Sequence, residues 1–201
     1  MKILYIHGLN SNKDSSTGRI VREYFTKKTN TEVITETFNL TDIQNSKEKA
    51  FRIILDQHIN FVVASSLGAF VALALGNAIP KILINPCMQP STVLQNIEPT
   101  ISNNVIEEFK REEIQTYDDI DGETREYTYA AFSTHDELFS FEKLFRQHFG
   151  DRYIKIQGGK HRLNEQQIQE ILEQFVPKME FIRLHTPIPE FEDENFNKQH
   201  H

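Results

Sequence analysis

The sequence predicts an α/β fold: one three-layer α/β/α domain with a mostly parallel, six-stranded sheet between helices. Three observations carry that expectation. Short apolar runs alternate with segments of helical hydrophobic spacing along most of the chain, and no internal repeat interrupts them. Strands separated by helices call for right-handed crossovers and therefore parallel pairing. The length of 201 residues suits one domain, which at this size buries about 70% of its unfolded surface.

Lys2 to Ile6 is a short apolar run ended by His7-Gly8, a buried strand. Gly18 to Lys28 brings Ile20, Val21, Tyr24 and Phe25 to one helical side. Glu32 to Phe38 alternates β-branched residues with acids that must reach water, so it is read as an edge strand. Asn45 to His58 returns to helical spacing through Ala50, Phe51, Ile54 and Leu55. Phe61 to Ala64 is a buried strand, followed almost at once by an Ala- and Leu-rich helix over Leu67 to Ala78. Lys81 to Asn85 is a strand stopped by Pro86; Glu126 to Ser133 and Tyr153 to Ile156 are the fifth and sixth. Phe141 to His148 and Glu165 to Phe175 are the helices that follow them. With the second strand at the edge beside the first, the expected order is 2-1-3-4-5-6.

Pro90 to Asp121 interrupts this rhythm between strands 4 and 5 with far more than the usual few residues. One or two short helices are expected there, forming either a lid over a site or part of the outer layer. Val93, Leu94, Ile97, Val105, Ile106 and Phe109 suit an acyl pocket or the core equally. The domain is therefore read as residues 1–185, with 90–121 inserted and an acidic tail at 186–201.

Composition excludes several classes. A single Cys leaves no intramolecular disulfide framework and no Cys-rich zinc site. No His/Asp/Glu spacing suggests a metal, and no glycine loop carries a phosphate-binding signature, so no cofactor is expected. The apolar stretch Asn60 to Ile84 is broken by Ser65, Ser66, Asn77, Pro80 and Lys81, which excludes a spanning helix. Met1-Lys2 leads straight into a strand without the order of a signal peptide, and a soluble, reducing, cytoplasmic setting is expected. The formal charge of −7 argues against nucleic acid, although −3 of it belongs to Pro187–His201. Nothing in the pattern speaks to oligomeric state.

Chemistry concentrates in Phe61 to Phe70. A buried strand runs through Ala64-Ser65-Ser66-Leu67-Gly68 into an apolar helix, the setting of a nucleophile elbow. The tight turn needs small residues two before and two after the nucleophile. Ala64 and Gly68 flank Ser66 correctly, whereas Ser65 would have Val63 and Leu67 there. Ser66 is thus the candidate nucleophile, the alternative being a plain helix N-cap; Ser65 is expected to support the turn.

A serine nucleophile needs a base, an orienting acid and oxyanion donors. His161 lies just past the last strand on a Gly158-Gly159 turn, and Asp136 follows the fifth strand. Ser66, Asp136 and His161 fall in the chain order of an α/β-hydrolase. All three lie beyond the carboxyl ends of strands, where open parallel sheets bind ligands. The backbone N–H groups of Leu9, after the first strand, and Leu67 are placed to form the oxyanion hole. Alternatives remain for two roles: His135 as base and Glu137 as acid. His7 is expected to pack or hydrogen-bond beneath the oxyanion loop, and Cys87 to be a buried thiol. Asp118, Asp119 and Asp121 are expected in a solvated loop; His58, His148 and His185 show no partner.

The blocks Lys2–Asn12, Val63–Gly68, Leu83–Pro86, Thr134–Leu138 and Gly158–His161 together resemble the YqiA-like bacterial esterases of the α/β-hydrolase superfamily. The resemblance runs from residue 2 to about 176, is weakest in the insertion, and leaves out the tail. It implies cofactor-free hydrolysis of carboxylic esters or acyl thioesters, with Ser66 as nucleophile, Asp136 as acid and His161 as base. Ala64 stands where the family usually has Gly, and Lys160 and Arg162 make the surroundings of His161 more basic. The implied activity is an esterase or thioesterase acting on a small molecule. A non-catalytic binding protein on the same scaffold, or an acyltransferase or peptidase with the same triad, are the alternatives.

Overall fold

The computed structural model describes residues 1–28 and 31–185; the expected acidic tail, 186–201, lies outside them. Six strands, β1 (Lys2–Ile6), β2 (Glu32–Thr35), β3 (Phe61–Ser65), β4 (Lys81–Ile84), β5 (Thr128–Ser133) and β6 (Tyr153–Ile156), form one sheet. Its order is β2-β1-β3-β4-β5-β6, as expected, and every neighbouring pair is parallel. Because all strands run the same way, the loops at His7, Ser66, Asn85, Thr134 and Gly158 emerge along a single edge.

The strand period of two sends alternate side chains to opposite cores. Ile3, Tyr5, Val63 and Ile84 face α1 (Ser16–Lys28) and the C-terminal α8 (Glu165–His185). Leu4, Ile6, Ala64 and Leu83 face α2 (Ile43–Gln57), α3 (Leu67–Leu73) and the helices of the insertion, α4 (Pro90–Ile97) and α5 (Asn103–Asp118), with α7 (Glu142–Phe149) beside them. Local chemistry starts these helices: Asp42 accepts the Asn45 N–H to cap α2, and Ser102 accepts that of Val105 to cap α5. Both strand faces are covered, which is why the strands read as continuous apolar runs.

Several boundaries differ from the sequence expectations. β2 ends at Thr35, not Phe38, and α1 begins at Ser16, two residues early. α3 stops at Leu73, a 3-10 turn at Gly76–Ala78 completing the connection. Helix α8 continues beyond Phe175 through Pro177 to His185, because Val176 and Met179 remain buried against α1 and outweigh the lost backbone donor. The insertion holds two helices as expected, but α5 is 16 residues long rather than short, and a further short helix, α6 (Gly122–Glu126), follows just after it. Leu94, Ile106 and Phe109 are buried in the core, Phe109 lying 5.8 Å from Phe70 of α3.

Lys81 opens β4 at the edge opposite those loops. It is completely buried, donates to the Gly76 carbonyl, and burial pulls its ammonium down from 10.5 to about 7, against the smaller opposing pull of Asp121. Between these two values the unfolded chain holds the proton and the folded chain has shed it. Stability therefore rises with pH across that window, with a ceiling of about 1.4 kcal/mol per pH unit from this group. Urea melts from pH 7 to 9 are expected to show the rise, and Lys81→Met to flatten it. An equal slope in the variant refutes the assignment.

Candidate active site

The chain passes from β3 into α3 through one residue. Ser66 stands at φ 52° and ψ −123°, a conformation that side-chain-bearing residues avoid. The crossing is so close that a Cβ on Gly68 would lie 2.1 Å from the His7 carbonyl oxygen and 2.8 Å from that of Ile6. A Cβ on Gly8 would come within 3.1 Å of Ser66 Cβ. The elbow is pinned to β4 and its following loop: the Ser66 N–H donates to Ile84 O at 3.0 Å, and the Cys87 N–H to Ser66 O at 3.1 Å. Although Ser66 occupies the N-cap position of α3, its side chain makes no capping bond. Its Oγ instead lies 3.0 Å from His161 Nε2.

His161 Nδ1 is 2.8 Å from Asp136 Oδ2, and the two side chains are only 11% and 4% exposed. The other carboxylate oxygen, Oδ1, accepts the N–H groups of Leu138 at 2.9 Å and Phe139 at 3.2 Å. Those bonds fix which way the carboxylate faces. The Phe139 ring stands edge-on to the imidazole with centroids 4.9 Å apart. Glu137, the alternative acid, accepts the His161 backbone N–H at 3.0 Å and does not reach the ring. That bond is the main reason its carboxyl is held below the usual range. His135 is exposed, with Nδ1 3.1 Å from Thr134 Oγ1, and stays outside the group.

Leu67 opens α3 and Leu9 follows β1, so both backbone N–H groups sit at the same edge; among the described residues neither meets an acceptor in the chain. Their loop is held by buried His7, whose Nε2 accepts the Phe38 N–H at 3.0 Å. Its proton is thereby placed on Nδ1, which donates to Gly8 O at 2.8 Å. Burial further lowers the pKa of this histidine. Ser65 Oγ lies 2.9 Å from the Tyr5 hydroxyl, away from the imidazole partnership.

Cys87 is buried behind the elbow, where burial, aided by the charges of Glu113 and Asp136, pushes its thiol well up and keeps it protonated. The acidic run is not a free loop: Asp118 ends α5, Asp119 is its C-cap, and Asp121 caps α6 by accepting the Thr124 N–H at 2.7 Å. Two histidines have partners that sequence does not reveal, His148 stacking on Tyr117 at 4.6 Å and His185 on Phe181 at 4.1 Å. Sequence reasoning also leaves Asn85 without a role, although a polar residue ending an apolar strand before Pro86 is a visible signal. Among the described residues no group of three His, Cys, Asp or Glu is arranged to hold a metal, and no helix is long and apolar enough to cross a membrane. A cavity of about 240 Å³, lined in part by Lys47, Gly76, Glu112 and Asp121, lies toward the opposite edge and includes none of these site residues.

Residues 2–181 match the uncharacterised protein family UPF0227. No curated protein sequence matches the chain. Among solved structures it is similar to Est1E from Butyrivibrio proteoclasticus, with a TM-score of 0.70, 12% identity, and coverage of 90% of this chain and 88% of that one. It is also similar to alpha/beta hydrolase domain-containing protein 10 from mouse (TM-score 0.65, 15% identity, 90% of each chain). The ydeN gene product from B. subtilis superposes with a TM-score of 0.64 at 14% identity, over 90% of this chain and 98% of that one. At these identities the likeness establishes the α/β-hydrolase fold.

Proposed function

The chain belongs to the uncharacterised protein family UPF0227, the YqiA family, and on that footing we propose that it is a serine hydrolase cleaving small carboxylic esters or acyl thioesters. One observation carries the reading: the continuous line from Ser66 Oγ through His161 to Asp136, with steps of 3.0 and 2.8 Å. Ser66 Oγ attacks the substrate carbonyl while His161 Nε2 takes its proton. Asp136 keeps the other imidazole proton on Nδ1 and stabilises the imidazolium. The carbonyl oxygen becomes an oxyanion held by the Leu9 and Leu67 N–H groups, at the positive end of α3. Collapse breaks the bond to the alcohol or thiol, which leaves with the proton from His161. Water then repeats the sequence on the acyl-enzyme, with His161 taking its proton and returning one to Ser66. The strained elbow fits this reading, since unfavourable backbone conformations persist where the surrounding structure demands them.

A fluorophosphonate probe is expected to label the protein at Ser66 and not to label Ser66→Ala. Absence of labelling in the wild type, or equal labelling of the variant, removes the assignment and favours a binding protein on this scaffold. Turnover of p-nitrophenyl esters of graded chain length beside acyl-CoA thioesters then separates esterase from thioesterase.

A further inference from the structure

Asn85 follows β4, stands at φ 43° and is 3% exposed. An amide so buried must find partners inside the protein. Its Oδ1 accepts the Ser133 N–H at 2.8 Å. Its Nδ2 faces Ser133 Oγ at 2.8 Å and the backbone carbonyls of His161 at 3.0 Å and Lys160 at 3.2 Å. Turning the amide over would set NH₂ against an N–H and oxygen against two carbonyls, so the network dictates its orientation. The backbone is anchored as well, its N–H donating to Ala131 O at 2.8 Å.

We propose that Asn85 is a positioning residue of the triad, clamping the turn that carries His161 onto the ends of β4 and β5. This inference rests on the serine-hydrolase reading and adds to it the part that sets the base. Apart from the bond between the imidazole and Asp136, the other ties from this turn to the β5–α7 loop reach exposed residues. Gly158 N–H donates to Thr134 Oγ1 at 2.9 Å, Gly159 O accepts from His135 N at 2.9 Å, and the His161 N–H meets Glu137. Asn85 is the buried attachment of the turn's backbone, and it grips the carbonyl of the catalytic histidine itself. Through Ser133 the same side chain also holds the strand end three residues before Asp136. Asn suits the site for two reasons: it tolerates positive φ, and it presents donor and acceptor side by side.

Two variants test the clamp. Asn85→Asp keeps the shape and the acceptor for Ser133 but replaces the donor with oxygen; Asn85→Ala removes the amide and adds no charge. The wild type is expected to be labelled by fluorophosphonate at Ser66. Both variants are expected to keep the native circular dichroism and a cooperative melt, yet to label about 10- to 100-fold more slowly, since small misplacements of a reacting group cost that much. On p-nitrophenyl acetate kcat falls by the same factor while KM stays within about twofold. A purely structural Asn85 would change the amount of folded enzyme and leave kcat per folded molecule in place. Wild-type labelling rates, or a wild-type kcat, in the folded variants overturn the proposal. Failure of both variants to fold makes Asn85 a residue of the fold and also overturns it. An unlabelled wild type instead brings down the serine-hydrolase reading on which the proposal stands.

Discussion

Ser66→Gly is expected to abolish turnover, by on the order of 10⁶-fold in kcat, and at the same time to raise Tm. The residue stands at φ 52° and ψ −123°, where glycine is at ease and a side chain costs about 1–3 kcal/mol. Against that release stand the lost hydrogen bond to His161, about 1 kcal/mol, and the greater freedom of glycine in the unfolded chain. A net gain of about 1 kcal/mol corresponds to roughly 2–4 °C in a chain of this size. Ser65 supplies the control. It lies one residue earlier within β3 and has no positive φ, so Ser65→Gly is expected to lower Tm. Calorimetry on both variants beside the wild type decides the matter. A Tm for Ser66→Gly below that of the wild type shows that the strain released at the elbow is smaller than these losses.

Asp136→Asn is expected to reduce kcat by about 10⁴-fold while leaving the fold intact. The direction follows from the hydrogen bonds around the carboxylate. Oδ1 accepts two backbone N–H groups, at 2.9 and 3.2 Å, so in the variant the amide oxygen must take that place. The NH₂ group then faces His161 Nδ1, which is forced to accept, and the imidazole proton moves to Nε2. A proton there points at Ser66 Oγ, and the ring can no longer receive one from the serine. Steady-state rates with a short-chain p-nitrophenyl ester measure the loss. A decrease of less than tenfold contradicts this role for Asp136, and would turn attention to Glu137, whose carboxylate holds the His161 backbone.

Much of this molecule could be read from its chain because the deciding forces are local. Apolar runs such as Ile3–Ile6 and Phe61–Ala64 announce strands covered on both faces, and the alternation with helices announces parallel pairing. The elbow was legible for a steric reason confined to five residues: Ala64 and Gly68 are the small residues that flank Ser66, and a side chain at Gly68 would not let the helix cross β1 at the distance observed. From the strand ends it followed that Ser66, Asp136 and His161 share one edge.

What the sequence left open depended on partners distant in the chain. Two adjacent carboxylates, Asp136 and Glu137, are equivalent by composition; the turn of the loop alone aims one at the imidazole ring and the other at the backbone. The sequence pattern ends the last helix at Phe175, yet Val176 and Met179 stay buried against α1 and carry it on past Pro177. Leu94 and Phe109 suited a pocket or a core equally until packing against Phe70 and its neighbours decided for the core. Asn85 looked like the end of a strand, and its four polar contacts exist only because β4, β5 and the His161 turn converge around it. Sequence by itself determined which segments meet at the edge of the sheet, since backbone geometry and apolar spacing are written locally. Tertiary structure decided which atoms face one another there, since hydrogen bonds at 2.8–3.0 Å between His161, Asp136 and Ser66 require the whole sheet to hold them.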